Sequence, residues 1–216
     1  MQIDRDGTEH FPAAFSPAEV RALADLLSLP ENRPGTRLGA ISGLAGLLAP
    51  ADGIAAALLG PGARAVGAKL FDKSPARNWA LGWHQDRTIP VRERLEVPGF
   101  GQWTVKSAIP HCVPPFDLLE RSLTLRIHLD PAGERNAPLL VAPGSHRLGP
   151  LPESEIPGAV ERLGVHACLA EAGDVWAYAT PILHASGRAL APARRRVLQL
   201  LYSAETLPGG LEWPEF

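Results

Sequence analysis

The sequence is short of cysteine, of long apolar runs and of surplus charge, and each shortage removes a class of protein. Cys112 and Cys168 are the two cysteines among 216 residues. They stand without CxxC or Cys/His spacing, which argues against a disulfide framework or a structural zinc site and suits a reducing cytoplasm. No uncharged apolar stretch reaches the roughly 18 residues a membrane span needs. The longest apolar segment, 40–59, is interrupted by Ser42, Pro50 and Asp52, and the opening MQIDRDGTEHF carries charge where a signal peptide is apolar. Basic and acidic side chains number 21 and 23, so the basic field that holds nucleic acid is missing. There is no fixed-period repeat, and Arg194-Arg195-Arg196 is too short to be an interaction tail.

What is present reads as one domain, 1–216, since a chain of this length buries one sizeable core. The 21 glycines and 22 prolines imply many turns between short elements. Ser16-Pro17-Ala18-Glu19 has capping-box spacing with proline at the first helical position, and Val20, Leu23, Leu26 and Leu27 follow at helical intervals, predicting a helix over 17–28. Two more helices are expected near 37–48 and 51–59, giving a helical layer over 1–62. From Ala63 the texture becomes β-rich, with short strands near 64–71, 123–130, 139–141, 174–178 and 195–202 bounded by Gly, Pro, Asp or Asn. The fold class is α+β, mainly β: a sandwich or barrel over 63–216 with the N-terminal helices packed on its sheet. Residues 87–121, between Asp86 and Ser122, are proline-rich and poorly periodic, the texture of a functional lid, in which Trp103, Lys106 and His111 are candidate substrate contacts.

Of seven histidines, His84 and His184 carry the chemical signal. In Trp83-His84-Gln85-Asp86 the imidazole and carboxylate are two apart, which shares a face on a strand but not on a helix. Gly82 before and Pro90 after favour extended backbone. With His184, at the end of an apolar run and before Gly187, they make a two-histidine, one-carboxylate face that suits ferrous iron and leaves positions open for an oxidisable co-substrate and dioxygen. Such a centre attracts an anionic chelator. Eleven residues beyond His184, Arg195 opens a strand in the alternation Arg195, Val197, Gln199, Leu201, where its guanidinium fork can take a carboxylate. Neighbours on a strand face opposite ways, so Arg194 and Arg196 are expected at the surface.

These motifs, together with Asn136-Ala137-Pro138-Leu139, Pro143-Gly144-Ser145-His146, Gly173-Asp174, His184-Ala185-Ser186-Gly187 and Arg195-Arg196-Val197, resemble in order and spacing the phytanoyl-CoA dioxygenase family over residues 63–203. The resemblance implies a double-stranded β-helix (jelly roll, cupin-like). It also implies a dioxygenase using Fe(II), 2-oxoglutarate and O2, with iron on His84, Asp86 and His184, the co-substrate's far carboxylate on Arg195, and a further co-substrate contact from Ser186. The product side is hydroxylation of a small organic substrate with release of succinate and CO2. Arg126 stands where many relatives carry an aromatic, on the strand face shared with Thr124 and His128. Arg126 and Thr124 are therefore candidate co-substrate contacts, with a substrate anchor or a surface salt bridge as the other readings of Arg126. Asp86 argues against halogenation, which needs that carboxylate absent.

Two other classes compete: a metal-dependent hydrolase on the same ligands, and a non-catalytic jelly-roll binding protein. The hydrolase lacks a spare Glu or His beside the triad and leaves Arg195 without a role. The binding protein leaves the intact triad unexplained. The bland readings of the remaining groups are a turn histidine at His146, a hydrogen-bonded core histidine at His128, exposed rings at His10 and His166, and solvated heads at Lys69 and Lys73.

Overall fold

The computed structural model describes residues 1–28 and 35–215. Its elements in chain order are α1 (Ile3–Asp6), β1 (Thr8–Phe11), α2 (Pro17–Leu26), β2 (Thr36–Leu38), α3 (Ala49–Leu59), β3 (Arg64–Lys73), β4 (Leu81–His84), β5 (Ile89–Pro90), β6 (Gly101–Lys106), β7 (Ile109–Val113), α4 (Phe116–Glu120), β8 (Ser122–His128), β9 (Leu139–Val141), α5 (Ile156–Leu163), β10 (His166–Cys168), β11 (Val175–Ala179), β12 (His184–Ser186) and β13 (Arg195–Ser203). Two antiparallel sheets form the jelly roll: six strands in the order β1-β11-β8-β13-β3-β2, and four in the order β10-β9-β12-β4. Proteins of this architecture bury the space between the sheets. This one buries both faces of the larger sheet.

The outer face carries the main core. Ala68 and Leu70 of β3, Leu123, Leu125 and Ile127 of β8, and Leu198, Leu200 and Tyr202 of β13 pack under α2 and α3, and Leu23 of α2, Leu27 just past its end, and Ala51, Ile54 and Ala55 of α3 are buried against them. Each fully buried leucine there stabilises the fold by roughly 1.5–3 kcal/mol. Helix α2 starts as the sequence predicts: Ser16 Oγ accepts from the Glu19 amide, the Glu19 carboxylate accepts from the Ser16 amide, and Pro17 opens the first turn. Because side chains alternate along a strand, the intervening residues face inward: Lys69, Phe71 and Lys73 of β3, Thr124, Arg126 and His128 of β8, and Arg195, Val197 and Gln199 of β13.

Three expectations are corrected. Residues 37–48 are not a helix: Thr36–Leu38 pairs with β3 as an edge strand, and a 3₁₀ turn follows at Ala45–Leu47. Gly39, Gly43 and Gly46 explain this, since a glycine inside a helix costs roughly 1 kcal/mol. The N-terminal segment is also not a purely helical layer, because β1 and β2 supply both edges of the large sheet. The span 87–121 is not an irregular loop. It folds into a third antiparallel sheet, β5-β7-β6, followed by α4, with a core of Ile89, Val91, Phe100, Cys112, Leu118 and Leu119 closed by Leu207 and Leu211. No helix among the described residues is long and apolar enough to cross a membrane.

Candidate metal centre and cosubstrate chamber

His84 ends β4 and His184 opens β12, and the two are direct register partners. Their ring centroids lie 4.2 Å apart. Asp86, two residues past His84, brings one carboxylate oxygen to 4.0 Å from His84 Nε2 and the other to 3.9 Å from His184 Nε2. All three ligand atoms lie within 4.8 Å of one another, a spacing that a single metal ion can bridge. The tautomers are set by the backbone. His84 Nδ1 meets the Gly82 carbonyl at 2.8 Å and His184 Nδ1 meets the Ile182 carbonyl at 2.9 Å. A carbonyl can only accept, so each Nδ1 holds the proton and each Nε2 presents a lone pair toward Asp86. Burial, reinforced by His84, lowers the His184 pKa to about 4 against the pull of Asp86, so that this ring is neutral at neutral pH. Burial alone would raise Asp86, but Lys69, His184, His84 and Lys106 outweigh it and hold the carboxyl below its ordinary range.

Between the two ligands, Gln85 points the other way, and its amide is fully engaged. Its Nε2 donates to the carbonyls of Gly149 and Pro181, and its Oε1 accepts from the Leu151 amide. This staples the His84–Asp86 segment to two loops. Sequence reasoning passed over Gln85, although its place inside the tripeptide on the opposite face was a usable signal.

Beside the triad lies a second chamber, built from the inner faces of β3, β8 and β13. Arg195 is 1% exposed, with no partner for Nε or Nη1. Burial and the neighbouring Arg126 push its guanidinium down to about 9. An unpartnered buried cation is costly, and an anion in the chamber would remove that cost. Lys73, the register partner of Arg195, is also buried, correcting the solvated reading; its Nζ donates to Ser186 Oγ at 3.1 Å and to the Gly187 carbonyl at 2.8 Å. Burial, then Arg195 and Arg126, lower it to about 8. Arg126 is buried as well, which removes the surface salt bridge: it donates to Gln199 Oε1 at 2.9 Å and stands over the Phe71 ring. Gln199 Oε1 also accepts from the Tyr178 hydroxyl. By contrast Arg194 pairs with Asp72 and Arg196 with Asp130, away from the chamber.

A larger cavity of about 490 Å³ opens on the other side of Asp86. Lys106 and His111 line it, and so does Thr124, which is hydrogen-bonded to Thr180 and does not border the Arg195 chamber. Arg37 Nε donates to His111 Nε2, so the His111 proton sits on Nδ1 against the Ile109 carbonyl; burial lowers this ring to about 4. Trp103 packs against the core of the small sheet, with Arg94 over its ring, and does not line the cavity. Three histidines also depart from their bland readings. His10 is not free at the surface but stacks on Trp176 and bonds to Asp174, and His166 is tilted against the same indole. His128 is wholly buried, yet neither ring nitrogen has a partner. His146 packs against Gly7, where a Cβ would stand 2.3 Å from its Nδ1.

Fold and site together define a non-haem Fe(II)- and 2-oxoglutarate-dependent dioxygenase. The chain belongs to the phytanoyl-CoA dioxygenase family, whose model matches residues 63–197. No curated protein matches it by sequence. Among solved structures it is similar to EctD from S. alaskensis in its apoform (TM-score 0.69, 22% identity, 93% of this chain and 74% of that one). It is also similar to AviO1 from Streptomyces viridochromogenes Tue57 (TM-score 0.66, 21% identity, 96% and 94%). A third likeness is to SnoK, a non-heme alpha ketoglutarate dependent carbocyclase from nogalamycin biosynthesis (TM-score 0.68, 17% identity, 93% and 80%). At these identities the likeness carries the fold.

Proposed function

We propose that His84, Asp86 and His184 hold Fe(II), that Arg195 with Lys73 and Ser186 takes the far carboxylate of 2-oxoglutarate, and that the chain hydroxylates a small organic substrate placed in the cavity lined by Thr124 and Lys106. The observation that carries the reading is the pairing of two features in adjoining spaces: a neutral-imidazole and carboxylate triad, and a buried arginine with two unpartnered nitrogens. The donor set suits ferrous iron, and three protein ligands leave positions for co-substrate and dioxygen. When bound, iron with 2-oxoglutarate and O2 supplies the oxidising chemistry, one oxygen atom going to the substrate and one to succinate as CO2 leaves.

This chain's own residues do the rest by placement. The Gly82 and Ile182 carbonyls keep both Nε2 lone pairs aimed at the metal. Arg195 and Lys73 neutralise a dicarboxylate deep between the sheets, which orients its other end toward the triad. Arg126 is held by Gln199 on the same inner face and adds to the positive potential there. Complexes of a structurally similar protein agree in chemistry: EctD has been solved with bound Fe, and with 2-oxoglutarate and 5-hydroxyectoine. The domain reading is one unit, with 1–62 as a backing layer for the oxygenase core. Two free, buried thiols support a reducing compartment, the cytoplasm, and the near-neutral charge supports a small-molecule partner over nucleic acid.

The test is anaerobic titration with Fe(II) and then 2-oxoglutarate, followed by succinate analysis on admitting oxygen. Stoichiometric iron, 2-oxoglutarate binding that depends on Arg195, and iron-dependent succinate release are expected. Metal binding without any uptake of 2-oxoglutarate would instead favour a hydrolase, and absence of both a binding protein.

A further inference from the structure

Of the three spaces that border Asp86, the small Arg195 chamber and the cavity of about 490 Å³ are both cationic, and only the first is accounted for by 2-oxoglutarate. The larger cavity receives Arg37 from β2, Lys69 from β3 and Lys106 from the end of β6. We propose that it binds an organic substrate bearing an oxyanion, a carboxylate or a phosphate monoester, held by Arg37, Lys69 and Lys106, with an apolar body against Leu38, Val91 and Leu201. The inference rests on the oxygenase reading of the same site and names its substrate class.

Outside the Arg195 chamber and this cavity, several cations of the described residues are matched by acids. Arg196 is matched by Asp130, Arg194 by Asp72, and even the half-exposed Arg121 by Asp117 and Glu205. Among the described residues Arg37, Lys69 and Lys106 form no ion pair. Their contacts are neutral ones: Arg37 Nε to His111 Nε2 at 3.3 Å, Lys106 Nζ to Thr88 Oγ1 at 2.9 Å, and Lys69 Nζ over the Phe71 ring at 5.3 Å. The carboxylate that attracts all three is Asp86. In the oxygenase reading that charge is committed to a dication, so binding the metal makes the cavity more positive, not less. The other acid on the wall, Glu215, is exposed beside Arg92, which already pairs with Glu212. Burial first, then repulsion from Arg37 on both, from Arg126 on Lys69 and from Lys69 on Lys106, holds the two ammonium groups below their ordinary range. An oxyanion entering here relieves that repulsion, whereas an amide or a hydrocarbon leaves it in place, and low-dielectric walls strengthen the difference. The apolar part of the wall leaves the remainder of the ligand to be selected by shape.

The experiment is calorimetric titration of the protein, loaded anaerobically with Fe(II) and saturated with 2-oxoglutarate, using phenylacetate, phenyl phosphate and phenylacetamide. The proposal expects at least one oxyanion to bind ten or more times as tightly as the amide, by about 1.4 kcal/mol; which one leads tells a carboxylate from a phosphate ester. Arg37→Gln/Lys106→Gln should lose that preference while binding 2-oxoglutarate as the parent does, because neither residue borders the Arg195 chamber. If the double variant melts early, Lys106→Gln alone, next to a surface turn, decides by the same measure. Equal binding of amide and anions, no binding of either anion, or anion binding unchanged in these variants overturns the proposal and leaves the oxygenase reading standing. Failure of the parent to bind 2-oxoglutarate overturns both.

Discussion

The two faces of the six-stranded sheet are made by the same strands and are both covered, yet they are chemically opposite. Leu198, Leu200 and Tyr202 of β13 face the helices, whereas Arg195, Val197 and Gln199, one residue out of step, face the smaller sheet. On β8 the same division sets Leu123, Leu125 and Ile127 against Thr124, Arg126 and His128. The outer face gains stability by removing apolar surface from water. The inner face gives some back by desolvating charge, since Arg195 keeps two nitrogens without partners. One face therefore holds the fold and the other holds the ligands, and a one-residue slip in register would exchange them.

Breaking each face in turn should separate the two roles. The largest effect is expected at the triad: Asp86→Ala or His184→Ala should weaken iron binding by about a hundredfold or more, with little change in the melting curve of the iron-free protein. Full iron stoichiometry by metal analysis in either variant would contradict the assignment. On the outer face, Leu200→Ala leaves a cavity under α3 and should cost roughly 2–5 kcal/mol of stability. At about 2–4 °C per kcal/mol for a chain of this size, the melting temperature falls visibly. Iron and 2-oxoglutarate affinities of the folded variant should match the parent, and a specific loss of either would show that the faces are coupled.

Arg195 sharpens the contrast. Arg195→Lys keeps the charge but not the fork, so the KM for 2-oxoglutarate should rise about tenfold or more, near 1.4 kcal/mol. Arg194→Ala and Arg196→Ala remove ion pairs on the other side of the strand and should leave that KM nearly unchanged. Arg195→Met should go further: with the desolvated charge gone, the ligand-free protein should melt higher, while added 2-oxoglutarate no longer raises the melting point. A lower melting point for the ligand-free Met variant would mean that the guanidinium is structural.

The parts that were legible in the sequence are those where local pattern and tertiary role agree. His84 and Asp86 were placed by period-two reasoning, Arg195 by the facing of its strand, and α2 by its capping box. Lys69 and Lys73 were misread for a physical reason. On β3 the apolar alternates Val66, Ala68 and Leu70 point to a core, and the default is that the opposite face meets water. Here the opposite face meets a second sheet, so the lysines are inside. The edge strands β1 and β2 escaped because four and three residues carry too little periodicity to outweigh helix-like surroundings. The small sheet escaped for a different reason, which lies in its turn.

The β6–β7 hairpin closes through two residues, Ser107 at φ 52° and Ala108 at φ 62°. Two positive φ values in a two-residue loop are what a type I′ turn requires, and the usual signal for it is Asn-Gly. Ser-Ala gives no such signal, which is why 87–121 read as a loop. It also means that both residues sit in a region an L side chain enters at a cost of roughly 1–2 kcal/mol each. Ser107→Asn with Ala108→Gly should recover part of this, raising stability by about 1 kcal/mol, the smallest of these effects. Because Ala108 and Lys106 line the larger cavity, the same pair reports on function. If the turn only joins the strands, the stabilised variant should keep the parent's ligand binding. If the strain holds Lys106 in place, anion binding should weaken as the melting temperature rises. Differential scanning calorimetry beside the phenylacetate and phenyl phosphate titrations measures both, and no gain in stability would show that the turn's backbone is paid for by contacts the substitutions disturb.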